Sequence, residues 1–404
     1  MIERGNGTMR ILLVQPGGDY REAYQRLVET GAETYYGHRY VLSILEGLLV
    51  HGEVALMCCT TRERYVEKLP NGVTVMGAAA HPRWGAKAII AQMAEWQPTH
   101  VVVLGPLNPL IRWAVGDRRR VMCQLADSFD VDPLNRLRKY GRIAKMLNHP
   151  GVEWISNHGV NACRSLVRIG VARDKILPWD FPHVRHPDAV SVRTLDLTAP
   201  GDLLYVGTIQ PSKGVGDAIE AVAQLKRRGR PVRLRIVGAG KVARFQALAE
   251  KRGVADLIDF VGLVTNAQVF NMMREASAII VPSRHGYPEG LPLTIYEGLC
   301  ARTPIIASDH PMFAGHLVNG ETALIYKARR PAELADRIAE LLDDPALYAA
   351  LSLNGRTAWL RMQNPVKWGD IISHWVRDGV ADRQWLYDHR LDGVAAEGSV
   401  KIRS

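Results

Sequence analysis

At 404 residues the chain is too long for one ordinary core, and 47% apolar with 23% charged residues excludes a disordered polymer, so two domains or one large α/β unit are expected. Fifty-one Lys and Arg against 41 Asp and Glu leave a net charge of +10, which suits a polyanionic partner: nucleic acid, an anionic membrane surface or a phosphate-bearing substrate. The five cysteines are odd in number and lack C-x-x-C spacing, which argues against a disulfide framework or zinc site and for a reducing, cytoplasmic setting.

The first strand is expected at "MRILLV" (9–14), a continuous apolar run broken by Pro-Gly-Gly, as a buried parallel strand ends in a glycine loop. Helical spacing follows in "HRYVLSILEGLLVHG" (38–52), with a glycine stop, and "EVALMCC" reads as the next strand. "VTVMGA", "HVVVLG", "RVMCQLA" and "VEWIS" continue the strands of a parallel sheet. The stretch "NRLRKYGRIAKML" (135–147) spaces Leu137, Tyr140, Ala144 and Leu147 helically among five cations. The readings are a helix packed on its own core, or a basic amphipathic face that touches an anionic membrane from the cytoplasmic side or takes a polyanionic or lipid-diphosphate acceptor. No apolar run approaches the ~18 residues of a membrane-spanning helix. With no low-complexity basic arm, nucleic acid is not an expected partner.

Residues 186–202, rich in Pro, Asp and Thr, lack periodicity and read as a linker after a first domain of residues 1–185. The alternation restarts over 203–363: "LLYVG" strand, "GDAIEAVAQLKRRG" helix, "VRLRIVGAG" strand, "KVARFQALAEKRG" helix, "IDFVG" strand, "NAQVFNMMREA" helix, "AIIVPS" strand. The end, 364–404, is helix-like with several Trp and is expected to pack back across both domains. Two doubly wound α/β units in series imply a cleft between two sheets' carboxyl edges, where such folds place ligands.

Three motifs carry chemistry. "IVGAGKVA" matches G-x-G-x-x-A at Gly238, Gly240 and Ala243, but a strand and a helix precede it in its domain, so a tight turn near a ligand is preferred to dinucleotide binding. "LLYVGTIQPSKGVG" sets Lys213 and two glycines between a strand and a helix, a place for a diphosphate or a plain surface turn. "HGYPEGLPLTIYEGL" (285–299) places Glu289 in a proline-bracketed loop and Glu297 about one turn into the following helix. Carboxylates there can accept hydrogen bonds from a sugar's diols, or Glu289 can cap the helix while Glu297 stays on its surface.

Taken together, "PS...PEGLPLTIYEGLCARTPIIAS", "LLYVGTIQPSKG", "LRIVGAG", "IDFVGLV" and "NGETALIY" resemble, in order over roughly residues 200–360, the Pro-Ser then Glu-x7-Glu signature of retaining glycosyltransferases of the family 4 type. That resemblance implies two Rossmann-like domains facing across a cleft, the GT-B fold, with a nucleotide diphosphate sugar (a UDP- or GDP-sugar) held by the C-terminal domain and a hydroxyl acceptor by the N-terminal one. It implies no metal and no further cofactor. Glu297 would hold the ribose, Glu289 the transferred sugar and Lys213 the diphosphate, helped by Gly207, Thr208, Gly238, Gly290, Leu291, Pro292, Leu293 and Thr294. Gly262 and Val264 would flank the base. On the acceptor side it implies Gly17 and Gly18 at the reaction centre, joined by Asp127, with His38 and His158 as further candidates. Two departures stand out. Thr208 replaces the family's phosphate-binding Arg, for which Arg284 or Arg302 are substitutes, and Ala126 replaces a His before Asp127. The same fold also admits a nucleotide-sugar epimerase or a catalytically silent nucleotide-sugar binder.

Overall fold

The computed structural model describes residues 8–33, 37–129, 140–198 and 200–392, which fall into two units. One comprises Met1–Phe181 and Asn364–Ser404, the other Pro182–Gln363. The chain therefore crosses at Phe181/Pro182, and residues 186–198, expected to be linker, belong to the second unit. Arg193 shows how they are fixed there: its guanidinium donates to the carbonyl of Ala276 (2.6 Å) and to Thr303 Oγ1 (2.7 Å).

The first unit is built on eight strands: β1 (Arg10–Gln15), β2 (Glu53–Cys58), β3 (Arg64–Lys68), β4 (Thr74–Ala78), β5 (His100–Val103), β6 (Arg120–Leu125), β7 (Val152–His158) and β8 (Ile176–Trp179). Their order is β3-β4-β2-β1-β5-β6-β7-β8, parallel except for β3 against β4. Ile11 to Val14 are fully buried, as an unbroken apolar run on a central parallel strand requires. The winding reverses direction between β1 and β5, so the loop after β1, holding Gly17 and Gly18, sits at the switch point.

The second unit has six parallel strands: β9 (Asp202–Val206), β10 (Arg233–Val237), β11 (Ile258–Gly262), β12 (Ala278–Val281), β13 (Ile305–Ser308) and β14 (Leu324–Tyr326). Their order is β11-β10-β9-β12-β13-β14, so the reversal falls between β9 and β12. The loops leaving these two strands begin at Gly207 and Pro282.

The helix Gly141–Leu147 is consistent with the packed-helix reading of the basic stretch, whose residues 135–139 lie outside the described residues. Tyr140, Ala144 and Leu147 are buried in the first unit's core, so these apolar groups are not available to lipid; Leu137 lies outside the described residues. The C-terminal helices Trp368–Arg377 and Val380–Asp388 belong to the first unit. Trp368 and Trp375 are buried, the Gly369 N–H donates to Tyr40 Oη (3.0 Å), and Trp375 Nε1 donates to Glu153 (2.8 Å). Among the described residues no helix is long and apolar enough to cross a membrane.

Candidate functional site

The second unit's site starts with glycines. Gly207 closes β9 with φ 151°, and its N–H donates to the Val237 carbonyl (3.0 Å). A Cβ on Gly238 (φ 139°) would lie 2.1 Å from the Gly207 carbonyl oxygen, and one on Gly240 2.3 Å from that of Ile209. The two glycines of the G-x-G pattern are thus accounted for by backbones crossing too closely for a side chain. Gly262 ends β11 beside them, where its carbonyl accepts from the Gly238 N–H (2.9 Å).

From β9 the chain passes exposed Thr208 and a single tight turn, Pro211–Lys213, into the helix Val215–Arg227. Gly214 joins the turn to the helix with φ 75°, and a Cβ there would meet the Pro282 carbonyl oxygen at 1.9 Å. That close approach seats Lys213 beside the end of β12. Lys213 Nζ lies 2.6 Å from Glu289 Oε1 and 4.3 Å from the centre of the Tyr287 ring. Ser283 Oγ, two residues past β12, donates to the same carboxylate oxygen at 2.5 Å. Glu289 is only 5% exposed, so its charge is carried by these two donors rather than by water. A further brace comes from His310: its Nδ1 accepts from the Met312 N–H (3.2 Å), so Nε2 bears the proton and donates to the Tyr287 carbonyl (3.0 Å).

Gly290, Leu291 and Pro292 then lead to the helix Leu293–Cys300, whose N-cap, Pro292, supplies no side-chain acceptor. Its first-turn N–H groups carry the positive end of the helix dipole; that of Ile295 donates to the Pro292 carbonyl (3.0 Å), and no side chain caps those before it. Thr294 Oγ1 donates back to the Val206 carbonyl (3.3 Å), tying this helix to the end of β9. Glu297 lies one turn in, its side chain 12% exposed. Two donors converge on its Oε1: Arg185 Nη1 at 3.1 Å, and the Asn266 amide. Burial pushes the Glu297 carboxyl above its ordinary range, opposed by the Asn266 hydrogen bond and the Arg185 charge. Val264, half-buried, precedes Asn266 by two residues.

The two arginines considered as replacements at Thr208 are engaged elsewhere. Arg284 forms a two-pronged pair with Asp217 (2.9 and 2.5 Å). Arg302 is buried and donates to the carbonyls of Pro187 (2.9 Å) and Leu353 (3.0 Å). Both guanidinium groups are thus committed to protein partners, while Lys213 and Arg185 are the cations paired with Glu289 and Glu297.

The residues expected on the acceptor side all lie in the first unit. Gly18 has φ 86°, and Gln15 Nε2 donates to the Gly17 carbonyl (2.6 Å), shaping the loop after β1. Asp19, next in the chain, caps the helix Tyr20–Thr30 and accepts from Tyr65 Oη (2.6 Å). His38 starts its helix with its ring edge-on to Tyr20, and burial, helped by Arg26, lowers its pKa to about 4, so it is neutral at physiological pH. The Asp127 carbonyl accepts from Asn157 Nδ2 (2.9 Å). His158 is buried, stacked on Trp179 at 4.6 Å with Nε2 3.1 Å from Asp180, contacts that give it a packing role. Arg185 and Asn266 are the residues that sequence reasoning missed. A lone Arg in a Pro- and His-rich run carries no periodic signal, whereas Asn266 at a helix start reads as an ordinary capping neighbour.

Residues 196–358 match the family model described as glycosyl transferases group 1. They form a group 1 glycosyltransferase domain. Its curated relatives include alpha-D-kanosaminyltransferase of Streptomyces kanamyceticus, 33% identical over 153 residues (38% of this chain, 39% of the relative). Glycogen synthase of Mycobacterium tuberculosis is 32% identical over 177 residues (44% and 41%). These matches to the domain span about two fifths of the relatives' own length. Over nearly the whole chain the fold is that of GT-B glycosyltransferases. Sucrose-phosphate synthase from Thermosynechococcus elongatus superposes with TM-score 0.67 at 17% identity, covering 92% of this chain and 98% of that one. HepE of Anabaena in complex with UDP-glucose gives 0.64 at 13% identity, covering 92% and 99%.

Proposed function

We propose that the protein is a retaining glycosyltransferase that moves a sugar from a nucleotide diphosphate sugar, UDP- or GDP-linked, to a hydroxyl acceptor. The observation that carries this reading is the meeting, at the β9/β12 switch point of a group 1 glycosyltransferase domain, of Lys213, Ser283 and Glu289, in the loop that leads into the helix bearing Glu297.

Each group has a task that its surroundings fit. Glu297 accepts from the ribose hydroxyls and Glu289 from the transferred sugar, since carboxylates are acceptors only and pair well with diols. The Lys213 ammonium has three donors, of which one is on Glu289, so others remain for the diphosphate. As the anomeric C–O bond breaks, the departing phosphate gains charge, which Lys213 and the N–H groups at the start of Leu293–Cys300 stabilise without a divalent ion. The acceptor oxygen attacks the face the phosphate leaves, and its proton passes to a departing phosphate oxygen. The anomeric configuration is then kept, and neither glutamate forms a covalent intermediate. The first unit, with Gly17 and Gly18 at its switch point, takes up the acceptor.

Incubation with labelled UDP- and GDP-sugars, with and without EDTA, tests the reading. The expected result is transfer or slow hydrolysis that survives EDTA and disappears in Glu297→Ala. Binding of the donor without turnover across a broad acceptor panel contradicts transfer and leaves a nucleotide-sugar binder.

A further inference from the structure

The unabsorbed feature with the most built geometry is the arrangement behind Glu297, and the inference rests on the reading of Glu297 as the ribose acceptor. Arg185 comes from the segment just past the crossover and Asn266 from the start of the helix Asn266–Glu275. Arg185 Nη1 bridges the two partners, 2.7 Å from Asn266 Oδ1 and 3.1 Å from Glu297 Oε1, while the Asn266 amide donates to that same Oε1. The guanidinium is held flat by the Phe270 ring, 4.5 Å from its centre, and the Arg185 carbonyl accepts from Cys300 Sγ at 3.3 Å. Arg185 is thus fixed at both ends, by its backbone and by its charged tip.

Both protein donors fall on one oxygen of the carboxylate. Oε1 is spent within the protein, and among the described residues no side-chain donor reaches Oε2. A carboxylate clamped this way cannot rotate to compensate when a hydroxyl is missing, and an acceptor left unpaired in a half-buried site costs the binding its full desolvation. We propose that Arg185 and Asn266 are positioning residues that give Glu297 its selectivity for a ribose over a deoxyribose donor. They act through Glu297 and need not touch the nucleotide.

The test compares UDP and GDP with their 2′- and 3′-deoxy forms by calorimetry on the full chain. For the intact protein, at least one deoxy form of the nucleotide that binds should be weaker by about tenfold or more, the scale of a lost hydrogen bond to a charged group. In Arg185→Ala and in Asn266→Ala the ribo-to-deoxy ratio should fall to within about twofold, and Arg185→Lys, which restores the charge without the planar fork, should return part of it. A purely structural role would weaken ribo and deoxy forms alike. A ratio that keeps its wild-type value in both alanine variants overturns the inference. Two outcomes bear on the underlying reading instead: no binding of UDP or GDP to the intact protein, or unchanged binding in Glu297→Ala, refutes Glu297 as the ribose acceptor and the inference with it.

Discussion

The ion pair between Lys213 and Glu289 is 14% and 6% exposed at its two side chains, so neither charge has water to fall back on. Removing one partner of such a pair is costlier than the pair is stabilising, because the other stays buried and uncompensated. Lys213→Ala should therefore lower unfolding stability by about 3 kcal/mol, read from urea titration, and, on the proposed function, reduce turnover by roughly 100-fold or more through loss of the cation beside the leaving phosphate. Glu297 makes a second residue-scale prediction. Its neighbours are Arg185, Asn266 and, on its own helix, Cys300, whose thiol burial pushes up to about 12 and so keeps neutral. A carboxyl raised above its ordinary value takes up its proton at a higher pH as acid is added. Since the ribose needs the ionised acceptor, UDP or GDP affinity should fall with decreasing pH before the ordinary glutamate range is reached. In Arg185→Ala, which loses the opposing charge, the fall should begin at still higher pH.

Elements show where local pattern sufficed. The strands β1, β2, β4 to β7 and β9 to β12 were legible because buried parallel strands are short apolar runs closed by turn residues. β3 was not, since its Arg-Tyr-Val-Glu-Lys sequence is mostly exposed at an edge and carries no burial signal. β13 lay hidden within a stretch whose motif drew attention to its glutamates. Lys213 and Glu289 could be singled out from residue type and order, but their contact was not legible, because it depends on Gly214 passing the Pro282 carbonyl. That dependence is testable: Gly214→Ala forces a side chain into a left-handed backbone and onto a carbonyl, and should cost about 2 kcal/mol or more in urea unfolding and shift Lys213 from its partner. The basic helix makes the contrasting case. With Leu147 fully buried, Leu147→Ala should destabilise the protein by about 2–5 kcal/mol, with no change in sedimentation with anionic vesicles.

At the scale of the whole molecule, the chain leaves its first unit at Phe181 and returns to it at Asn364. The returning segment is part of that unit's packing: Trp368 and Trp375 are buried, and Gln124 Nε2 donates to the Trp368 carbonyl (2.9 Å). From sequence these Trp-bearing helices were expected to pack back across both domains, since an apolar helix face is compatible with any apolar partner; they belong to the first unit. Truncation after Gln363 should accordingly unfold or aggregate the first unit, seen as loss of its thermal transition, because each large buried side chain contributes roughly 1.5–3 kcal/mol to a margin of only about 5–15. In the function proposed above, one constellation in the second unit grips a nucleotide diphosphate sugar. Thermal stabilisation by UDP-, GDP-, ADP- and dTDP-sugars, measured on the intact protein and on Lys213→Ala and Glu297→Ala, tests it most directly. A UDP- or GDP-sugar at about 100 times its dissociation constant is expected to add about 2.7 kcal/mol to the intact protein, and either substitution to abolish most of that gain. Stabilisation undiminished in both variants would contradict it.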